Sequence, residues 1–562
     1  MLHPVSDDLG MADILNKFFS SVFTDENVAS MPVPDQVFQG DVPLQTAHIC
    51  PEAVKAKISK LKPCSAPGPD KISSKVLLEL NDELALPLCI IFNKSLNEGS
   101  VPQDWKLANV SPIFKKGNKD SPGNYRPISL TCIICKVMES ILRDHIMSHL
   151  DLNKLLRMSQ HGFLEHRSTI TNLLEYLDKV TELLDSGANV DMFYLDFAKA
   201  FDKVPHKRLL AKMRAHGISG FITGWVEDWL SARSQRVVLN GRFSGWLPVT
   251  SGVPQGSVLG PILFLIYIND IDLAVDVTSV ALFKFADDTK GVKAINDQSS
   301  ANELQQAINN LFAWSVEWQM LFNIDKCHIL HLGKSNPRFP YHINNTPMKV
   351  VEEEKDLGVL IHQSCTPSSQ VAKAAKKANS VLGQLLRALS YRDKVTHIKY
   401  VRPHLEYAVQ TWCPWLQRDK DLLEDVQKRA VRAVSGITGS YHEKLKALKL
   451  PELTARRERG DMIQTFKIVK QLDNVDPANY FQIAAEQHNH ATRQARVVVR
   501  ADNPEETIAV PTINLTKPKA NSDLRKYFFT HRVVDSWNAL HPSVKAASTV
   551  NEFKNQYDNK LV

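Results

Sequence analysis

Along the chain, stretches in which apolar residues recur every three or four positions alternate with short continuous apolar runs bounded by turns. Helical spacing marks Met11–Phe23, Pro51–Leu61 and Leu77–Asn97. It returns from about Ser368 onward, as in Val371–Leu389 and Asp419–Val434. Strand-like runs are Val110–Gly117 and Asn124–Leu130, which read as a hairpin rich in Lys and Arg, then Met192–Asp196 and Val280–Ala286. Asp287-Asp288-Thr-Lys-Gly291 reads as the turn after the last of these, and Ser65-Ala-Pro-Gly-Pro-Asp70 as a rigid turn. Ser257–Asp270 is apolar on nearly every face, the mark of a buried helix. Helices interleaved with a few strands predict an α/β or α+β core followed by an all-helical part, with no fixed-period repeat.

Length and composition narrow this picture. At about 150 residues per domain, 562 residues predict roughly three or four domains or subdomains. With 43% hydrophobic and 23% charged residues the chain reads as soluble and globular. A net charge of +7 permits a nucleic-acid partner without demanding one. Of the eight cysteines only Cys132 and Cys135 form a Cys-x-x-Cys pair. A zinc site needs four ligands, so this apolar segment predicts buried thiols in a reducing, intracellular setting. The chain opens on polar and acidic residues, unlike a secretory signal. Its longest apolar run, Val258–Ile268, is short of the twenty or so residues that span a bilayer.

Three carboxylates carry the candidate chemistry. Asp196 ends one apolar strand, and Asp287 and Asp288 end another 91 positions later, so the two strands can be sheet neighbours. Isolated, an Asp-Asp pair is ordinarily a solvated turn. Brought together, such groups repel and lose hydration, a cost that divalent cations offset. Two cations about 4 Å apart suit in-line phosphoryl or nucleotidyl transfer.

Beyond this point the motifs resemble a known family. Phe193-Tyr-Leu-Asp-Phe-Ala-Lys-Ala-Phe-Asp202, Gly252-Val-Pro-Gln-Gly-Ser-Val-Leu-Gly-Pro261 and Phe285-Ala-Asp-Asp288 are similar, in order and spacing, to catalytic motifs of reverse transcriptases. Asn124–Leu130, Gln160-His-Gly-Phe163 and Arg167-Ser-Thr169 resemble motifs of non-LTR (LINE-type) retrotransposons. Tyr400–Tyr407 and Arg456–Arg459 resemble the jockey and chicken-repeat branches more loosely. The resemblance implies an α+β right-hand polymerase: a helix and linker over 1–45, fingers and palm over 46–335 with the catalytic Asp residues on an antiparallel sheet, and a thumb over 336–440. A mostly helical region of unassigned role follows over 441–562. It implies an RNA-directed DNA polymerase with an RNA template, a DNA primer and dNTPs as partners, acting inside the cell as a ribonucleoprotein of cytoplasm and nucleus. The endonuclease usual in these branches, and a Cys-x-x-Cys-His-Cys knuckle, are expected to be missing.

The roles carry over residue by residue. Asp196, Phe197, Asp287 and Asp288 match the site of two Mg²⁺ ions, with Mn²⁺ as a substitute. Phe201 matches the bulky residue that excludes a 2′-hydroxyl, the alternative being plain core. Gln255 and Gly256 match residues lining the incoming nucleotide. Lys115 and Arg126 match those holding the triphosphate, while Lys116 and Lys119 read as a solvated hairpin. Lys326, in Asn323-Ile-Asp-Lys326, is a candidate acid for the departing pyrophosphate. His331-Leu-Gly-Lys334 resembles a primer-gripping hairpin. In the tail, aromatics and cations interleave (Trp412, Trp415, Arg418, Lys428, Arg429 and Arg432); Lys428, Arg429 and Arg432 read as template–primer contacts, and Trp412 and Trp415 read equally as stacking platforms or core. The competing function is a catalytically silent RNA-binding protein of retrotransposon descent.

Overall fold

The computed structural model describes residues 7–484, 498–500, 503–508 and 513–560; the rest of the expected 1–45 and 441–562 regions lies outside the described residues. Helix α1 (Asp8–Ser21) starts where the Asp7 carboxylate accepts from the Gly10 N–H, an N-cap that satisfies one of the free amides of the first turn. It buries Ala12, Leu15, Asn16 and Phe19, a stripe at helical spacing.

The strands of the two larger sheets, in chain order, are β1 (Leu107–Phe114), β2 (Tyr125–Thr131), β3 (Asn189–Leu195), β4 (Arg233–Leu239), β5 (Arg242–Phe243), β6 (Leu247–Val249), β7 (Ala281–Phe285), β8 (Asp288–Ile295), β9 (His328–Leu332) and β10 (Lys349–Val350); short two-stranded ribbons lie outside them, two of them in the C-terminal part expected to be all helical. The larger sheets are both five-stranded. One runs β2-β1-β4-β5, with β6 also paired to β4, and α1 lies on it over Val110 and Val237. The other runs β10-β9-β3-β8-β7, with β3 at its centre and antiparallel to both neighbours. The mixed content of sheets and many helices agrees with the fold class expected from the pattern.

The central sheet separates two cores by the period-2 alternation of its strands. From β3, Phe193 and Leu195 enter one core while Val190 and Met192 enter the other. Helix α2 (Thr169–Asp185) covers the second face with Leu173, Leu174 and Leu177. Helix α3 (Gly260–Ile268) is buried at every position but Pro261, as its all-round apolarity requires, and belongs to the first core. The C-terminal helices, among them α4 (Ser368–Ala388), α5 (Gln417–Arg432) and α6 (Leu453–Val469), share the second core with the sheet. Among the described residues no helix is long and apolar enough to cross a membrane.

Two local expectations change. The reversal after β7 takes only Ala286 and Asp287: Ala286 adopts φ +55°, Phe285 already pairs with Asp288, and Thr289–Gly291 continue as β8. Leu77–Asn97 is two helices, Ser74–Glu79 and Asn81–Glu98, divided at Leu80.

A strap after α1 is fastened to the first core by one buried ion pair. Both oxygens of Glu26 accept from the first amides of helix His206–Ala215, Lys207 and Arg208. The Arg208 guanidinium, 2% exposed, reaches Glu26 Oε1 and donates to the carbonyls of Asn27, Ser30 and Glu317. Removing one partner of a buried pair strands the other charge. Arg208→Met is therefore expected to destabilise the protein by about 3 kcal/mol in urea unfolding and to open residues 24–30 to limited proteolysis.

Candidate active site

Antiparallel pairing brings the end of β3 beside the start of β8. Leu195 pairs with Thr289, so Asp196, one residue on, emerges next to Asp288. Asp196 keeps its main chain in order by accepting from the Asn323 N–H at 2.7 Å, and its Oδ2 receives Lys326 Nζ at 2.6 Å. Asp287 is raised above the usual carboxylate range by burial and by Asp196. Asp288 is pushed up to about 7, by desolvation first, then by Asp287, Asp356 and Asp196 in that order. Loss of hydration first, and the mutual approach of the carboxylates second, oppose ionisation here, although Asp288 keeps an exposed surface.

The turn carrying these carboxylates is gripped from outside. Gln160 Oε1 accepts from the Ala286 N–H at 2.8 Å and the Gly162 N–H at 2.7 Å, while its Nε2 donates to the Ala286 carbonyl at 3.3 Å. One side chain thus satisfies both polar groups of an alanine held in the left-handed region. Gly162 makes that approach possible, since a Cβ there would lie 2.2 Å from the Ala286 nitrogen.

Asp196 and Asp287 form one wall of a cleft of about 430 Å³. The opposite side is the β1–β2 hairpin, which presents exposed Lys115 and Arg126. Lys199 and Lys326 add two more cations; burial, opposed by the nearby Asp202, then Lys115, Lys326 and Arg126, leave Lys199 with a lowered pKa. Between the walls lie Phe201, Gln255 and Gly256. Phe201 stacks on Phe264 at 4.7 Å and meets Phe163 edge-on at 5.8 Å, so its ring is half-buried with one side on the cleft. The Gln255 carbonyl accepts from the Ser129 N–H at 2.7 Å, and its side-chain Nε2 donates to Asp202 Oδ1 at 2.8 Å. Gly256 has φ +115°, and any Cβ would fall 2.7 Å from the Ser129 carbonyl oxygen, so the close docking of this loop on β2 needs glycine.

Nine of the ten candidate residues therefore line one cleft, and the tenth, Asp288, follows Asp287 at the start of β8. Phe197 is 2% exposed and stacked on Phe322, so only its main-chain oxygen remains as a donor atom. Among the described residues no three His, Cys, Asp or Glu side chains stand close enough to enclose a metal ion as they lie. The donor set nevertheless fits a hard divalent cation, being all oxygen, over-charged and, at Asp196, already paired with a cation.

Other candidates fall elsewhere. His331 is 4% exposed within β9, its Nδ1 2.6 Å from Asp191, so it cannot touch a primer. Trp412 is 5% exposed and is core; Trp415 stacks on Tyr527. Arg429 and Arg432 are exposed on α5, and Lys428 pairs with Asp425 at 2.9 Å. Cys132 and Cys135 are buried, as their apolar segment implies. Gln160, Lys199 and Asp202 lay inside motifs quoted from the sequence, but spacing alone carries no sign of what their side chains hold.

Residues 113–384 match the family described as "Reverse transcriptase (RNA-dependent DNA polymerase)". Over 460 residues the chain is 26% identical to the "RNA-directed DNA polymerase from mobile element jockey" of Drosophila melanogaster, which covers 78% of this chain and 49% of the relative. Identity is 26% over 449 residues to the "Probable RNA-directed DNA polymerase from transposon X-element" of the same species, covering 76% and 49%. To the jockey polymerase of Drosophila funebris it is 27% over 400 residues, covering 68% and 44%. The chain spans about half the length of the curated relatives it matches.

Two outcomes are expected from this geometry. Gln160→Ala leaves the Ala286 amide and carbonyl unpaired and lowers unfolding stability by about 1–3 kcal/mol, read from the denaturant midpoint. For Asp288, the folded pKa of about 7 lies above its ordinary 3.8. Between those values the folded state keeps a proton that the unfolded state has lost, so this group makes stability fall as pH rises through that window. Asp288→Asn removes the effect: its thermal midpoint should exceed the parent's above pH 7, and the difference should shrink as pH falls and vanish below about pH 3.

Proposed function

We propose that this chain, which carries a reverse transcriptase domain over residues 113–384, copies an RNA template into DNA by adding dNTPs to a primer 3′-hydroxyl, with pyrophosphate leaving. The observation that carries this is the convergence of Asp196 and Asp287, with Asp288 next in the chain, on a cleft that Lys115 and Arg126 also line. Nucleotidyl transfer asks for that pairing: anionic ligands where the hydroxyl meets the α-phosphorus, and cations where the triphosphate lies.

We read the β1–β2 sheet as fingers, the central sheet as palm and the helices that follow as thumb, within the bounds 46–335 and 336–440. Asp196, Asp287, Asp288 and the Phe197 main-chain oxygen would hold Mg²⁺ or Mn²⁺, which when bound supplies charge neutralisation and Lewis acidity at the reacting oxygens. Arg126 offers a bidentate fork to the phosphates and Lys115 a point charge. Gln255 and Gly256 would line the incoming nucleotide. The Phe201 ring, in contact with Phe163 and Phe264, would stand against the sugar and disfavour a 2′-hydroxyl. Lys326, whose Nζ rests on Asp196 Oδ2 and which lines the same cleft, is the acid we propose for the departing pyrophosphate.

Primer extension on an RNA template with dNTPs and Mg²⁺ tests the reading. The parent should extend, an Asp287→Ala, Asp288→Ala variant should not, and rNTPs in place of dNTPs should give little product. A folded parent that binds RNA and does not extend would favour the silent RNA-binding alternative.

A further inference from the structure

Two tail segments singled out by the sequence, Tyr400–Tyr407 and Arg456–Arg459, meet in the fold. The helix Arg402–Glu406, entered through a single π-helical turn, His397–Val401, is tied to the first turn of α6 by a side-chain ion pair. Arg456 donates to both oxygens of Glu406, with Nη2 at 2.8 Å. The Arg402 guanidinium lies alongside: its Nη2 is 3.3 Å from Glu406 Oε1, out of line for a hydrogen bond. The Arg402 side chain is only 5% exposed, yet neither Nε nor Nη2 has a hydrogen-bond partner. Buried donors of a charged group are rarely left unmatched, and each such case calls for a ligand.

Arg402 lines a cleft of about 260 Å³ together with Lys394, Glu406, Lys449 and Arg456. Four cations there face one carboxylate, and that carboxylate is already forked to Arg456. Burial, opposed by Glu406 and then aided by Arg456, leaves the Arg402 guanidinium below the ordinary arginine range, with Glu424 a weaker opposing charge. A water could meet the orphan Nε–H but would leave the charge excess in place. The volume is below the roughly 300–1,000 Å³ of pockets that enclose drug-sized ligands. A group that is small, multiply charged and rich in acceptors in several directions fits both demands, and guanidinium forks match its oxygens.

We propose that this cleft binds a phosphate group, held by Arg402 at its floor and by Lys394 and Lys449 at its rim. The site is separate from the carboxylate cleft and does not rest on the polymerase reading. The phosphate belongs either to a nucleic-acid strand or to a free phosphate or pyrophosphate ion.

The test uses the whole chain in a Lys115→Ala, Arg126→Ala background, which removes the other cationic cleft as a phosphate taker. Thermal midpoints are measured against inorganic phosphate, acetate and chloride at matched ionic strength, with and without Lys394→Glu and Lys449→Glu. Both lysines sit at the rim, so the fold should tolerate their exchange. Phosphate should raise the midpoint by a few degrees, growing with the logarithm of its concentration, and the Lys→Glu variant should lose that rise. Equal responses with and without the rim lysines would overturn the proposal, as would acetate matching phosphate. The source then follows from heteroduplex binding against salt. A strand phosphate predicts that Lys394→Ala, Lys449→Ala lowers the slope of log affinity on log salt by about one to two. A free ion predicts an unchanged slope beside the lost phosphate response.

Discussion

The antiparallel register of β3 and β8, with Leu195 opposite Thr289 and Phe193 opposite Gly291, decides where charge accumulates in this molecule. A slip of one residue would turn Phe193 and Leu195 out of one core and Val190 and Met192 out of the other. Two hydrophobic cores thus hold the alignment from opposite faces, and the placement of Asp196 beside Asp288 is inherited from them. Stability of the sheet and geometry of the carboxylates are a single constraint. The molecule accepts the resulting repulsion, visible in the raised Asp287 and Asp288, and sets Lys326 against Asp196 as partial compensation.

Around that edge, the less regular backbone is pinned by long-range polar contacts. Gln160 reaches across 126 positions to hold Ala286, and Ser129 and Asp202 fix the main chain and side chain of Gln255. An ionised carboxylate accepts only, so Asp202 determines which end of the Gln255 amide turns away from it. Loops would otherwise supply the least precise part of such a site. Here each contributes backbone or amide groups whose orientation is set by a hydrogen-bonded partner far along the chain, the arrangement that limits reorganisation when a substrate arrives.

The C-terminal helices belong to the same argument. They share the second core with the face of β3, so they are not a loosely tethered appendage of the sheet. Trp412 and Phe466 are consumed in that packing. The surface of these helices carries cations, including Arg429 and Arg432 on α5, and Lys394 and Lys449 line the cleft above the buried Arg402.

The sequence by itself determined the local pieces: which stretches are helix or strand, that α3 is buried all round, and that the carboxylates stand at strand ends. These follow from periodicity within a few residues, where burial of one face or both is written directly into the order of side chains. The family motifs extended this to nearly every residue of the cleft. Only the tertiary structure decided what those side chains do to one another. The two-residue turn before Asp288 depends on Ala286 being held left-handed by a glutamine 126 positions earlier. The burial of His331 depends on Asp191, 140 positions away, and the pairing of Glu406 with Arg456 spans 50. Such contacts have no period. They exist because packing two cores against one sheet brings distant polar groups into places without water, where each must find a partner.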